Sequence, residues 1–160
     1  MENRELLENL KDQNTWRLLG LGIITFGVYF AHYIQKQSKV INSKLDDDKI
    51  SKGFVNTIMI MSYISLALFV PYLLVDEGHP IEKISSLVDK IWGILLIVWG
   101  FKARNRVNSL CKLSSDSNNW FHGLWTFLFT ALYFNYKVNC MLESNVEQSA
   151  EKDAIQNSAF

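Results

Sequence analysis

Apolar and charged residues fall into separate blocks along this chain, where a soluble domain would mix them on amphipathic elements. The longest apolar block, residues 54–75, reads FVNTIMIMSYISLALFVPYLLV and holds no ionisable side chain except Tyr63 and Tyr72. As a helix it measures about 33 Å, enough to cross a bilayer core of about 30 Å. Three weaker blocks accompany it, at residues 16–33, 84–101 and 120–136. The first and last begin on Trp and end on Tyr, as expected of helices about 24–26 Å long between two aromatic interfaces. Both are short for a crossing, so either is also open to a re-entrant course. The third has Asp89 and Lys90 just inside its start, and Lys90 can reach outward along its stem. The pattern therefore predicts an all-α, integral-membrane bundle of about four hydrophobic helices, with no ionisable group at mid-membrane.

The flanks differ in character. Residues 1–15, MENRELLENLKDQNT, read as a polar tail in which Leu6, Leu7 and Leu10 can line one side of a short surface helix. They lack an apolar core followed by a small-residue cleavage site, so no cleavable signal peptide is expected. Residues 16–142 form the membrane domain, and residues 143–160 read as a mobile acidic tail. Orientation follows from the connections. Lys36, Lys39, Lys44, Lys49 and Lys52 follow the first block, and Lys102, Arg104, Arg106 and Lys112 follow the third. The positive-inside rule puts those loops in the cytoplasm; four crossings would then leave both termini outside. Arg4, Lys11, Arg17 and Lys137 count against that arrangement.

Composition narrows the function classes. The 160 residues carry 16 basic and 16 acidic side chains, a balance that disfavours nucleic acid as a partner. Two cysteines make no disulfide framework.

Three block ends echo one another: Lys39-Val40-Ile41-Asn42-Ser43, Arg106-Val107-Asn108-Ser109 and Lys137-Val138-Asn139-Cys140. Val28-Tyr29-Phe30 and Leu132-Tyr133-Phe134 precede the first and last of them. If the echo is a repeat, the three ends favour one side of the membrane, and a re-entrant first or last block reconciles that with the topology.

The stretch Gly22-Ile23-Ile24-Thr25-Phe26-Gly27-Val28-Tyr29-Phe30-Ala31-His32-Tyr33 resembles a group of small bacterial multi-pass membrane proteins that carry a domain of unknown function. Their first segment has a T-x-G-[IV]-Y-x-x-Y-[WI] signature; Ile34 stands here where Trp is usual. The closing Trp125-Thr126-Phe127 and Tyr133-Phe134-Asn135-Tyr136-Lys137-Val138-Asn139 are similar to the end of that domain, so the resemblance extends over residues 16–142. It implies a bacterial inner-membrane location and transfers no activity.

Candidate chemistry is sparse. His32 and His122 would share one membrane face with Cys111 between them, yet both also read as interface residues beside Tyr33 and Trp120. His79 lies in the turn Gly78-His79-Pro80. Ser114, Ser115, Asp116 and His122 are close in sequence without a triad pattern, and no metal, phosphate or dinucleotide motif is present. Asp46-Asp47-Asp48 sits between Lys44 and Lys49 and lacks calcium-loop spacing. No catalytic residue, metal or cofactor is expected.

Packing signals are clearer. Gly20 and Gly27, extended by Ala31, and Gly93 and Gly100 are pairs two turns apart that open small-residue grooves. Lys36, Lys39, Lys102, Arg104 and Arg106 are candidates for anionic-lipid contact. Trp16, Tyr33, Trp120 and Tyr136 form the expected interface belt. Together these point to a non-enzymatic inner-membrane protein that associates with a membrane or soluble partner, or with itself, in an accessory or immunity-type role. A small oligomeric channel or transporter component is the alternative, and a membrane enzyme acting on lipid through His32 and His122 is a weaker one.

Overall fold

The computed structural model describes residues 2–76 and 78–158, with side chains for residues 4–76 and 78–144. Its helices are α1 (Glu2–Leu10), α2 (Thr15–Ile24), α3 (Val28–Ser43), α4 (Lys52–Tyr72), α5 (Pro80–Leu110) and α6 (Gly123–Ser158), with no strand among the described residues. The fold is all-α.

Two helices, α4 and α5, are long and apolar enough to cross a membrane. Pro71 falls in the last turn of α4, which ends at Tyr72. Helix α5 begins with Pro80 at its first position, where a missing N–H costs nothing. His79 Nδ1 accepts the Ile81 N–H at 3.2 Å, and Glu82 Oε2 accepts the Gly78 N–H at 2.9 Å. These local bonds start α5 before residue 84, and it runs on to Leu110. The two helices are antiparallel. Lys102 Nζ lies 5.9 Å from the Phe54 ring centroid, and the Ser65 hydroxyl donates to Asp89 Oδ1 at 2.6 Å.

The first hydrophobic block is not one helix. At the end of α2 the Phe26 N–H bonds to the Ile23 carbonyl and the Gly27 N–H to the Gly22 carbonyl, a Schellman pair. Phe26 (φ 50°) and Gly27 (φ 87°) are both left-handed. Thr25 stitches the corner: its hydroxyl donates to the Leu21 carbonyl at 2.7 Å and accepts the Tyr29 N–H at 3.0 Å. Were α2 and α3 collinear, residues 13 and 29 would be about 24 Å apart. Instead the Tyr29 hydroxyl bonds Gln13 Oε1 at 3.2 Å, and Lys36 pairs with Asp12. The segment folds back on itself.

The fourth block does the same. Helix α6 is broken at Thr130 (φ 42°, ψ −109°). Beyond the break, the Tyr133 hydroxyl accepts the His122 N–H at 3.1 Å and the Lys137 ammonium donates to the Asn118 carbonyl. The Phe121 and Phe134 rings lie 5.5 Å apart. Both short blocks are therefore hairpins, and the expectation of four simple crossings is corrected to two long helices plus two fold-back elements.

Helices α3 and α5 run parallel, with Gly27 against Trp92, Ser38 bonded to Trp99 and Asp48 bonded to Arg106. Their C-terminal ends, both hairpin bases and α1 thus gather at one polar end, opposite residues 73–76 and the start of α5. Residues Glu2–Leu10 form α1, the short helix that the leucines allowed for. Leu6, Leu7 and Leu10 are at most 2% exposed and belong to the same core as Ile34, Ile41, Val107 and Val138. The Lys44 ammonium bonds Glu5 at 2.7 Å and holds that carboxyl below its usual range. From Glu143 onward the backbone continues α6 as helix to Ser158; the side chains beyond Ser144 lie outside the described residues.

The glycine grooves are only half as expected. A Cβ on Gly100 would meet Thr126 and Thr130 at 3.2 and 3.0 Å, and one on Gly27 would overlap Trp92. Ala31 is buried. Gly20 and Gly93 have nothing within 4 Å, because the break at Gly27 removes the common helical face and the α6 hairpin meets α5 at Gly100. Gly22, absent from the expected set, instead lies under the Phe30 ring. Gly27→Ala is expected to lower the melting temperature in detergent, strain and overlap costing about 1–3 kcal/mol. Gly20→Ala should leave it unchanged or raise it slightly, by up to about 1 kcal/mol of stability. Equal melting temperatures for the two variants would contradict the corner.

Candidate functional site

The polar end is held by a set of side-chain-to-backbone hydrogen bonds. Its frame is built from the three asparagines of the sequence echo. Asn42 Oδ1 accepts the Ile50 N–H at 2.7 Å while its amide donates to the Ile50 carbonyl at 2.8 Å. Asn108 brackets Phe121 in the same way, at 3.1 and 3.4 Å. The Asn139 amide donates to the Gln13 carbonyl at 3.1 Å, joined by Asn135 at 2.9 Å. Each of these asparagines thus fixes a residue two positions ahead of another helix. Ile50 and Phe121 are at most 1% exposed, so their backbone polar groups need these partners.

Arg106 fixes the acidic connection. Its guanidinium donates to the Asp48 carbonyl at 2.6 Å, to Asp48 Oδ1 at 2.8 Å and to the Lys102 carbonyl at 2.9 Å. Asp48 adopts φ 52°, a left-handed conformation that Asp tolerates. The Arg106 side chain is only 9% exposed. Its assignment to anionic-lipid contact is therefore corrected: it is an internal clamp. Arg104 is also engaged, donating to the Phe121 carbonyl and lying 5.5 Å from the Trp120 ring centroid. Lys36 is paired with Asp12. Of the five expected headgroup contacts, Lys39 and Lys102 remain exposed without an ion pair among the described residues.

The interface belt needs one correction as well. Trp16 and Tyr136 are exposed and share the rim of an open pocket of about 730 Å³ that also holds Glu8, Lys11 and Glu143. Trp120 covers Arg104. Tyr33, by contrast, is 2% exposed and edge-on to Trp99, with ring centroids 6.5 Å apart, because it points into the core side of α3. A second pocket, of about 460 Å³, lies between α3 and the start of α4, lined by Lys39, Lys49, Lys52, Gln35, Asn42 and Asn56 among others.

The histidines serve local structure. His32 Nε2 lies 2.9 Å from the Tyr63 hydroxyl, and His79 caps α5. His122 offers its backbone to Tyr133 and Thr126. Among the described residues no three His, Cys, Asp or Glu side chains come together as a metal group. Burial pushes the Cys111 thiol up to about 11, so near neutral pH it carries its proton and is a poor nucleophile. Asp89 corrects a further expectation. The 31-residue α5 places it well inside the helix, against Ser65 near the middle of the apolar run 54–75.

A family model, described as a domain of unknown function, DUF4234, matches residues 13–109. The chain belongs to the DUF4234 family. The match begins at Gln13, where the first hairpin is anchored, and ends one residue before the end of α5. It holds the Thr25–Gly27 corner and both long helices, while α1 and the second hairpin lie outside it; the expected extent to residue 142 is shortened accordingly. No curated protein and no solved structure matches this DUF4234 chain.

Removing Asn42 leaves the buried Ile50 N–H and C=O without these partners, and removing Asn108 orphans the Phe121 N–H while Arg104 still donates to its carbonyl; each orphaned group costs about 1–3 kcal/mol. Asn42→Ala should therefore accelerate amide hydrogen exchange around Ile50, and Asn108→Ala around Phe121, each sparing the other site. Unchanged protection in both variants would show that the clamps are incidental.

Proposed function

We propose that this DUF4234 chain is an integral, multi-pass protein of the bacterial inner membrane in which α4 and α5 cross the bilayer. The two hairpins enter from the polar end and return to it. Its role is non-enzymatic: it holds a membrane or soluble partner at the polar end, in an accessory or immunity-type capacity.

One observation carries the membrane reading. Ile84, Leu87, Ile91, Ile94 and Val98 recur at helical spacing on α5 and are all exposed, as are Ile60, Ile64 and Val70 on α4. Only 17% of the most apolar stretch of each helix is buried within the chain. An apolar band of that extent is unfavourable in water and suits lipid. Charge supports the orientation. Among described side chains, Lys83 and Lys90 are the only lysines or arginines away from the polar end, so that end faces the cytoplasm under the positive-inside rule. Arg4, Lys11, Arg17 and Lys137, which count against four crossings, support two. Both termini then lie inside, not outside.

A second reading has one observation in its favour. Asp89 is exposed within the apolar band, and an intramembrane carboxylate often marks an ion path. A channel or transporter component would lose cation conductance in liposomes on Asp89→Asn; unaltered flux would remove that reading.

The topology can be tested with single cysteines at Lys11, Asp47, Asp76 and Ser115, after Cys111 and Cys140 are replaced. An impermeant thiol reagent applied to intact spheroplasts is expected to label only position 76. Labelling at 11 with 76 would restore four crossings, and labelling at 47 or 115 would reverse the orientation.

A further inference from the structure

The polar end holds many charges, and four ion pairs match some of them. Arg4 pairs with Glu8, Lys36 with Asp12, Lys44 with Glu5 and Arg106 with Asp48. Among the basic residues outside these pairs, Lys39, Lys49 and Lys52 line one pocket of about 460 Å³, and none makes an ion pair among the described residues. No carboxylate lines that pocket, whereas the larger hollow at Trp16 and Tyr136 sets Glu8 and Glu143 against Lys11.

The pocket is also well supported. Asn42 fixes Ile50 in its wall with two hydrogen bonds, and Ser38 in its floor accepts the Trp99 indole N–H at 2.9 Å. The three lysines stand on α3, the connection that follows it and the first residue of α4. Gln35, Ser43 and Asn56 add neutral polar groups to the lining.

The geometry points to a binding site for a phosphate ester in the pocket formed by Lys39, Lys49 and Lys52. Three lysines lining one hollow supply point charges and rotatable donors on flexible stems, which suit a doubly charged phosphomonoester with its several acceptor oxygens. The volume leaves room for the group that carries the phosphate. An anionic lipid headgroup and a free phosphate ester offer the same chemistry. The pocket rests on the fold alone; the membrane reading bears only on which source supplies the ligand.

The test uses the full chain purified in neutral detergent. Water-soluble dihexanoyl phosphatidate, glycerol 3-phosphate and zwitterionic dihexanoyl phosphatidylcholine are titrated separately by calorimetry. Binding of phosphatidate alone identifies a lipid headgroup site, and binding of both phosphate esters, or of glycerol 3-phosphate alone, identifies a site that takes the free ester; each result supports the proposal. Each lysine replaced by glutamine is expected to weaken binding by about fivefold, so Lys39→Gln, Lys49→Gln and Lys52→Gln together lose on the order of a hundredfold. The triple arginine variant should keep its affinity, which separates charge from folding. Removing equal charge outside the pocket, at Lys11, Lys83 and Lys112, should leave it within about threefold. The proposal is overturned if neither phosphate ester binds more tightly than phosphatidylcholine. It is equally overturned if the outside triple weakens binding as much as the pocket triple. Failure here with position 76 still labelled from outside would remove the pocket and leave the membrane reading intact.

Discussion

A helix that reaches Thr25 cannot continue, because Phe26 and Gly27 both take left-handed backbone conformations and the α2 carbonyls are already satisfied by the Schellman bonds. Only glycine fits at position 27, where a side chain would meet Trp92 as well as the wrong φ. The rest of the architecture depends on that corner. It returns the chain to its starting end, so that Tyr29 reaches Gln13, Lys36 reaches Asp12 and α1 lays its leucines on the core. Run straight, the same residues would carry α1 to the far end and leave the base of α6 without Gln13 to bond.

The second hairpin repeats the device with different residues. Val28-Tyr29-Phe30 after the first corner corresponds to Leu132-Tyr133-Phe134 after the second. In each, a tyrosine beyond the break bonds back to a residue ahead of the short helix. Further on, an asparagine ties down a loop backbone, and the same device ends α5 at Asn108. The echo noted in sequence is thus a repeated structural task, and its three ends do lie on one side.

Much of this was legible in the chain and some was not. Residues 54–75 gave α4 directly, because length and composition decide a long apolar helix. Gly78-His79-Pro80 read as a turn, whereas the helix after it was expected only from about residue 84 and begins at Pro80. The hairpins were not decidable, because an 18-residue apolar run has the same composition whether straight or folded. Phe26 and Thr130 are left-handed without being glycine, and Gly27 beside Phe26 also fits a continuous helix by composition. The heptad-like spacing of Gly20 and Gly27 misled for that reason: it assumes a continuous helix. Tyr33 and Arg106 read as surface residues by type, yet tertiary contacts bury both. Leu6, Leu7 and Leu10 did show one apolar side; what a local pattern could not show was the core waiting for it.

The fold-back has an electrostatic consequence. It collects nearly all the basic side chains at one end, where ion pairs and the Arg106 clamp neutralise some and leave the lysine pocket unmatched. The central claim is that the first hydrophobic block reverses inside the intact protein, and a distance answers it. Spin labels at positions 12 and 36, in protein reconstituted into bilayers, can be measured by double electron–electron resonance. The account predicts a separation below about 20 Å, since Asp12 and Lys36 are in contact; a single straight helix would place them about 36 Å apart and contradict it.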